Sequence, residues 1–566
     1  MERKGKVPIA TLDNVLQDIG VCGPFQALLV LGLHSCIVSS VWGMMLMAFG
    51  SYNPGWVCLD NLSQDDALES KLLSTDFTPN INATEELNTT DRCALYRSCK
   101  NVYFSPGTST VASEWGLVCH RAWTLKAIFT AQMAGVFVGA YLSGQTSEYF
   151  GPKATMYGLL ALHGVANLVA IFSPSWEVFA AVRFFIGVAA GGMILPAFLT
   201  PMEFTGQFWR GVIGSIPVWN TGAALFAVSV IVLKDWRHLH ILAAVLSGLS
   251  FLHVFWVPQS FRWLAVHGRD KDATAVVTKI AKMNGRPKPS LEILVNMAEC
   301  ERRRALAESS IRYSYLDLFR DSHVRKTVLI MTVVWNTLAI IYYGISFSVQ
   351  ALSGDFYINF LILSMLELPA PIFNLPTMTF LSRRRGSALH FVIVSMACFC
   401  ITIVSLAYGN DTGEGDPSND NALKVKIVVS LASIAKIGTV SVWSIMTVYC
   451  SELFPTAVRN LGIGYLNSVS RIGGYVGPLL FPHGPAMLYL AMIVLGVLTL
   501  VSAGLFLLLP ETKGAPLEDV LRSKSLHMTS SRTNFTTKHE DTDTEREVDY
   551  FDRGLVEYVD CESTIA

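Results

Sequence analysis

Twelve runs of apolar residues punctuate this chain, each long enough to cross a lipid bilayer, and no other feature limits the fold as tightly. A membrane-spanning helix needs about 20 consecutive apolar residues. The runs place spans at 24–49, 123–144, 153–172, 176–201, 211–233, 238–258, 325–350, 355–380, 387–408, 425–450, 460–481 and 486–509. Composition agrees: 51% of residues are apolar and only 15% charged, where soluble domains run near a quarter charged. The expected fold class is an all-α membrane protein with twelve transmembrane helices. A net charge of −1 and the lack of a basic aromatic patch give no sign of a nucleic-acid partner.

The two halves of the chain repeat one another. Glu203-Phe-Thr-Gly-Gln-Phe-Trp-Arg210 and Glu452-Leu-Phe-Pro-Thr-Ala-Val-Arg459 both read Glu, six residues, Arg, and lie 249 residues apart. Pro258 and Pro510 each end an apolar run and lie 252 apart. A near-constant offset implies two similar six-helix halves, 24–258 and 325–509, joined by a charged hinge loop, 259–324. In membrane proteins that pattern marks halves that rock about a central site. Within the hinge, Ala273 to Met283 and Leu291 to Leu306 are periodic and are expected as amphipathic helices on the cytosolic face.

Lysine and arginine placement sets the orientation. With residues 1–23 in the cytosol, cytosolic segments hold most of the 43 Lys and Arg, including Arg302, Arg303 and Arg304 of the hinge. The first apolar run is too long for a cleaved signal and reads as a signal anchor. Segment 50–122 then lies outside, with acceptor triplets at Asn61, Asn82 and Asn88, and Asn410 lies in the outer loop between spans 9 and 10. These four are the expected glycosylation sites. Of eleven cysteines, Cys58, Cys93, Cys99 and Cys119 all fall in that first outer loop. Four cysteines in an oxidising compartment suggest two disulfides, with three connectivities open. The segment 510–566 is expected to be a cytosolic tail, largely disordered, since it is rich in Ser, Thr, Asp and Glu. No residue spacing suits a metal, and no Walker sequence or supported catalytic set is present, so neither a cofactor nor enzyme activity is expected.

Charge inside hydrocarbon costs roughly 2.5–3.5 kcal/mol per group on insertion scales, so each instance needs a reason. Glu367, Lys436 and Arg471 fall near the middle of spans 8, 10 and 11, and Arg183 in the outer third of span 4. The midplane charges sum to +1. Arg471 and Lys436 can hold a bare anion, and Glu367 with Arg471 suits a zwitterion. A simple cation would meet Arg471 unpaired, which low dielectric disfavours. Arg471 and Glu367 are therefore the candidate substrate contacts; the alternative is that Glu367 pairs only with Arg471 or Lys436. Lys436 and Arg183 are expected in structural pairs. His34 in span 1 is expected as a hydrogen-bonded core histidine rather than a proton site.

Trp219, Trp335, Tyr342, Tyr343 and Trp443 lie inside spans. An aromatic wall of this kind holds a quaternary ammonium at roughly 0.5–2 kcal/mol per contact. Glu203, Arg210, Glu452 and Arg459 sit at span ends, where ion pairs form in one state and release in another. Gly187, Gly191, Gly192, Gly462 and Gly464 permit close helix packing.

The stretch Gly139-Ala-Tyr-Leu-Ser-Gly144-Gln-Thr-Ser-Glu148-Tyr-Phe-Gly151-Pro-Lys153 resembles the 2–3 loop signature of the major facilitator superfamily. Glu203 to Arg210, Pro258 to Leu264, Glu452 to Gly462 and Pro510 to Gly514 resemble its other cytosolic motifs. The cysteine-bearing outer loop, Tyr342-Tyr343-Gly344 and Glu367-Leu-Pro-Ala370 narrow the likeness to the organic ion transporter family, which holds organic cation, organic anion and carnitine carriers. The resemblance covers about residues 10–520. It implies the major facilitator fold, a plasma-membrane location with both termini cytosolic, and alternating-access transport of a small organic ion by a monomer, leaving open a coupled sodium ion or proton. Arg at position 471 is typical of anion and carnitine carriers and Glu at 367 of cation and carnitine carriers, so the combination most resembles the carnitine type.

The chain departs from the family at its cytosolic charge lock, to which Glu148 and Arg262 belong by resemblance. Glu148 stands where Asp is usual, Tyr149 and Pro152 where Arg is usual, and Gln259 and Phe261 where Glu and Pro are usual. These changes bear on the balance of conformations more than on the fold. Rival readings are an organic anion exchanger, an organic cation carrier, a sugar porter, and a non-transporting receptor or scaffold. The charged midplane and the cysteine-bearing loop argue against the sugar porter.

Overall fold

Proline, glycine and short polar residues decide where the apolar runs become helices. The structure, a computed structural model, describes Leu16 and residues 18–58, 89–105, 107–214, 216–287, 315–347, 355–370, 376–377, 380–407, 417–454, 459–480 and 488–512. Helix α1 spans Pro24–Gly50 and carries proline in its first turn, where a missing N–H is harmless. Only Gly151 separates α2 (Trp123–Phe150) from α3 (Pro152–Ile171), and its φ of +85° favours glycine. Helix α4 is Trp176–Glu203 and α5 is Val218–Leu233. Helix α6 (Trp236–Phe251) is capped by Asp235, whose carboxylate accepts from the N–H groups of Arg237 and His238 at 2.7 and 3.3 Å. The second half comprises α7 (Ser322–Phe347), α8 (Phe356–Met365), α9 (Arg383–Ala407), α10 (Pro417–Leu453), α11 (Arg459–Leu479) and α12 (Leu488–Phe506).

Among the described residues nine helices are long and apolar enough to cross a bilayer, and α5 and α8 are shorter apolar helices. With α11, 21 residues long and interrupted by Arg471, they match the twelve expected spans. Two boundaries are corrected. Span 8 does not continue as one helix from 355 to 380: α8 ends at Met365 and residues 366–369 are turns. Pro369 lacks an N–H and pushes Leu368 out of the helical region, so the chain must turn there although it stays apolar. Glu367 therefore lies just past a helix end. Span 5 does not begin at 211, because a separate short helix, Gln207–Gly214, precedes Pro217 and α5 begins at Val218.

Helices α2 and α4 pack with backbones in contact. A Cβ on Gly139 would lie 2.0 Å from the Val188 carbonyl oxygen, and one on Gly191 would lie 2.4 Å from that of Val136. Only glycine on both faces permits that approach.

At one end of the bundle, β1 (Trp56–Cys58) pairs antiparallel with β2 (Val102–Phe104). Disulfides join Cys58 to Cys99 and Cys93 to Cys119, selecting one of the three open connectivities. At this disulfide end the two halves touch. The Tyr52 ring stacks on Phe356 at 4.2 Å, and the Thr108 and Tyr357 hydroxyls hydrogen-bond at 2.8 Å. At the opposite end the helix Asp270–Met283 buries Ala273, Val277, Ile280 and Ala281. Asn284, just beyond it, accepts from the Phe25 N–H at the start of α1 at 3.2 Å. Asn61, Asn82, Asn88, Asn410, Leu291 to Leu306 and the tail beyond 512 lie outside the described residues.

Candidate functional site

Aromatic, amide and charged side chains from both halves converge in the middle of the bundle. The first half supplies Trp219 and Asn220 from α5. The second supplies Tyr342, Tyr343 and Ser346 from α7, Glu367 from the turn after α8, Lys436 and Trp443 from α10, and Asn467 and Arg471 from α11. Within this site, among the described residues, two hydrogen bonds cross between the halves. Trp219 Nε1 donates to the Tyr342 hydroxyl at 2.6 Å, and Asn220 Nδ2 donates to Glu367 Oε2 at 2.8 Å.

Glu367 and Lys436 are each 2% exposed and form an ion pair at 3.0 Å. Either charge alone would carry a desolvation penalty of several kcal/mol, so the pair must be well hydrogen-bonded to persist. Glu367 also accepts from the Tyr342 hydroxyl at 3.2 Å. Lys436 donates to Ser346 Oγ and stands 3.7 Å over the Tyr342 ring. The turn that ends α8 is what delivers the carboxylate to this ammonium.

Arg471 has different surroundings. It is half-buried. Its Nη2 donates to Asn467 Oδ1, one helical turn back, at 2.9 Å, and its Nη1 donates to the Tyr343 hydroxyl at 3.4 Å. Its Nε is buried without a hydrogen-bond partner, and no carboxylate among the described residues pairs with it. The Tyr342 and Tyr343 rings, 5.2 Å apart, connect the two charge centres. Trp443 lies 6.0 Å from the Tyr342 ring and 5.7 Å from Trp335. Trp335 itself is buried, with its Nε1 on Cys450 Sγ at 3.3 Å, so it backs the aromatic wall.

The result is a neutral ion pair beside a guanidinium with donor capacity to spare. Such a guanidinium takes a carboxylate through charge-assisted hydrogen bonds. The neighbouring ring faces attract an ammonium. Among the described residues no group of three or more His, Cys, Asp or Glu side chains is placed to hold a metal.

The gating candidates lie at the end opposite the disulfides. Arg210 Nε donates to the Met202 and Thr205 carbonyls at 2.9 and 3.0 Å, closing the end of α4, where Glu203 is half-buried. Glu452 pairs with Arg383 at 3.2 Å and accepts from the Thr512 hydroxyl at 2.6 Å. Arg459 begins α11, and its side chain lies outside the described ones. The Glu148 side chain is exposed while its carbonyl accepts from Trp263 Nε1 at 3.0 Å, and Arg262 is exposed.

Two expectations are corrected. Arg183, wholly buried, has no carboxylate partner among the described residues. It donates to Gln132 Oε1 and stands 5.9 Å over the Phe179 ring, so an amide and a ring take the place of an ion pair. His34 is half-buried and has no hydrogen-bond partner among the described residues. The hydrogen-bonded core histidines are instead His163, whose Nδ1 is 2.9 Å from Ser247 Oγ, and His240, whose Nδ1 is 2.8 Å from Asn167 Oδ1. Sequence reasoning missed these two, and also Asn220, Ser346, Asn467 and Arg383. Of the missed residues, Asn467 had a readable signal, four residues before Arg471 on one helix.

Two six-helix halves around a central charged and aromatic site define a membrane transporter. The sequence matches the family described as Sugar (and other) transporter over residues 79–523. Solute carrier family 22 member 15 of Xenopus tropicalis is 33% identical over 431 residues, covering 74% of this chain and 76% of that protein. Organic cation/carnitine transporter 2 of Mus musculus is 27% identical over 547 residues, covering 90% of this chain and 93% of that protein. In fold, the chain resembles the partially occluded inward-open conformation of the xylose transporter XylE from E. coli, with a TM-score of 0.58 at 13% identity over 87% of this chain and 99% of that one. The chain belongs to solute carrier family 22 within the sugar (and other) transporter family. It is a multi-pass membrane transporter of the major facilitator fold, not an enzyme.

Proposed function

We propose that this chain carries small organic ions bearing a carboxylate across the plasma membrane, with Arg471 reading the carboxylate. One observation carries the reading: Lys436 already neutralises Glu367, whereas Arg471 keeps a buried Nε without a partner and no carboxylate beside it. An anion satisfies that guanidinium. A simple cation would face it uncompensated in low dielectric. A carnitine-like zwitterion also fits, its ammonium resting against Tyr342, Tyr343 and Trp443 rather than on Glu367. The likeness to a relative named Organic cation/carnitine transporter 2 favours that form of substrate.

The proposed orientation puts both termini and residues 259–324 in the cytosol, and residues 50–122 outside. The Tyr52–Phe356 stack and the Thr108–Tyr357 hydrogen bond then close the extracellular side. Rocking of the halves breaks them and re-forms contacts at the cytosolic ends, where Glu452–Arg383 and the Arg210 cap reorganise. The chain works as a monomer, driven by substrate gradients, membrane potential or a coupled sodium ion or proton.

Uptake into proteoliposomes tests the reading, with an aromatic carboxylate, a carnitine-like zwitterion and tetraethylammonium as substrates. The wild-type protein is expected to carry at least one of the two carboxylates. Arg471→Gln should weaken carboxylate affinity about ten- to hundredfold, since a hydrogen bond to a charged group contributes roughly 1.5–3 kcal/mol. Wild-type uptake of tetraethylammonium alone would refute the proposal.

A further inference from the structure

A groove runs between α1, the end of α6 and the helix Asp270–Met283. Leu28, Leu31, His253, Trp256, Lys279 and Met283 line it, enclosing about 360 Å³. Its wall is apolar and open: Leu28 is 46% exposed, Leu31 67% and Met283 40%. On a membrane protein, apolar side chains this exposed at the end of a span face acyl chains.

The rim is basic. Lys279 Nζ donates to the Trp256 carbonyl at 3.2 Å, which holds the ammonium at the groove mouth with two donors left over. Lys153, in the first turn of α3, donates its N–H to Gln259 Oε1 at 3.1 Å, three residues beyond the Trp256 that holds Lys279. Neither lysine pairs with a carboxylate among the described residues. Two lysines tied to the same short segment, Trp256 to Gln259, with no carboxylate partner among the described residues and beside an open apolar wall, complement a molecule with an anionic head and a hydrocarbon tail.

We propose that this groove binds an anionic phospholipid of the adjoining leaflet. The acyl chain lies on Leu28 and Leu31, and the phosphate meets Lys153 and Lys279. On the orientation given above, that leaflet is the cytosolic one, which is rich in anionic lipid. The bound lipid ties the amphipathic helix Asp270–Met283 to α1 and α6, and so braces the start of the hinge against the first half.

The test uses the full-length protein reconstituted with phosphatidylcholine, with or without phosphatidylserine, and native mass spectrometry to count retained lipid. The wild-type protein should retain phosphatidylserine over phosphatidylcholine. Lys279→Gln should lower that preference about fivefold, and Lys153→Gln with Lys279→Gln about twenty-fivefold, as the worth of a basic side chain near an anionic surface implies. Lys279→Arg should keep it. Equal preference in the wild-type and doubly substituted proteins would overturn the proposal. So would equal protection by glycerophosphoserine, which would mark a headgroup site without a lipid tail. Thermal unfolding of the wild-type protein decides the matter even if the double variant does not fold, because phosphatidylserine must then stabilise more than phosphatidylcholine does.

Discussion

Gln259 and Glu511 hold the same place in the two halves, and only Glu511 is charged. Each follows the proline that ends the last span of its half. Gln259 Oε1 accepts from the Lys153 N–H at the start of α3 at 3.1 Å, and its Nε2 donates to the Phe150 carbonyl at 3.2 Å. Glu511 accepts from the Arg383 and Arg384 N–H groups at the start of α9, at 3.1 and 3.3 Å. Both tie the end of a half to a helix N-terminus, where a carboxylate is favoured by the helix dipole. The amide recovers part of that loss by donating, which a carboxylate cannot do.

The two positions should therefore respond unequally to exchange. Glu511→Gln removes the charge that faces the Arg383 and Arg384 N–H groups and should cost about 1–2 kcal/mol of stability. Gln259→Glu gains about 0.3–1 kcal/mol from the dipole and loses about 0.5–1.5 kcal/mol with the bond to Phe150, so it should be close to neutral. Thermal unfolding of the purified variants measures both, and a Gln259→Glu loss as large as that of Glu511→Gln would break the correspondence.

Breaking the Glu367–Lys436 pair should be far more damaging than deleting it. Lys436→Met leaves a buried carboxylate uncompensated, at a cost of about 3–5 kcal/mol. Adding Glu367→Gln to it should recover most of that loss, because no bare charge remains. A double variant as unstable as the single one would show that the loss does not come from an uncompensated buried charge.

Peptide mapping under non-reducing conditions checks the cysteine pairing within residues 50–122. The pairs expected are Cys58 with Cys99 and Cys93 with Cys119, and either other connectivity contradicts the structure. Glycosidase treatment of protein delivered to the surface of animal cells should shift its gel mobility, through Asn61, Asn82, Asn88 or Asn410. An unchanged mobility would count against placing residues 50–122 outside.

Hydropathy suffices to place helices such as α1, α4 and α9, because a bilayer demands long unbroken apolar stretches. It overruns at α8, where Leu366, Leu368 and Ala370 stay apolar but Pro369 ends the helix. It also starts α5 too early, before Pro217. Arg471 is legible as a lone charge in an apolar run, and its bond to Asn467 follows from helical spacing. The partner of Glu367 is not legible in this way. Charge alone lets Glu367 meet Arg471 or Lys436, and only the turn after α8 directs it to Lys436. Asn220 and Ser346 carry no signal in sequence, since small polar residues are common in spans and matter here only through the neighbours the fold provides. Arg183 misleads for a related reason: its partner is the amide of Gln132, which no charge pattern announces.

Charge reversal at Arg471 asks whether that guanidinium reads the substrate carboxylate. The measurement is initial uptake into proteoliposomes of a carboxylate substrate and of tetraethylammonium, by the wild-type protein and by Arg471→Asp at matched protein levels. The wild-type protein should carry the carboxylate and reject tetraethylammonium. Arg471→Asp should lose at least tenfold in carboxylate uptake, the least that a lost charge-assisted hydrogen bond of roughly 1.5–3 kcal/mol allows, and admit the cation. Carboxylate uptake left intact in Arg471→Asp would show that Arg471 does not read the carboxylate.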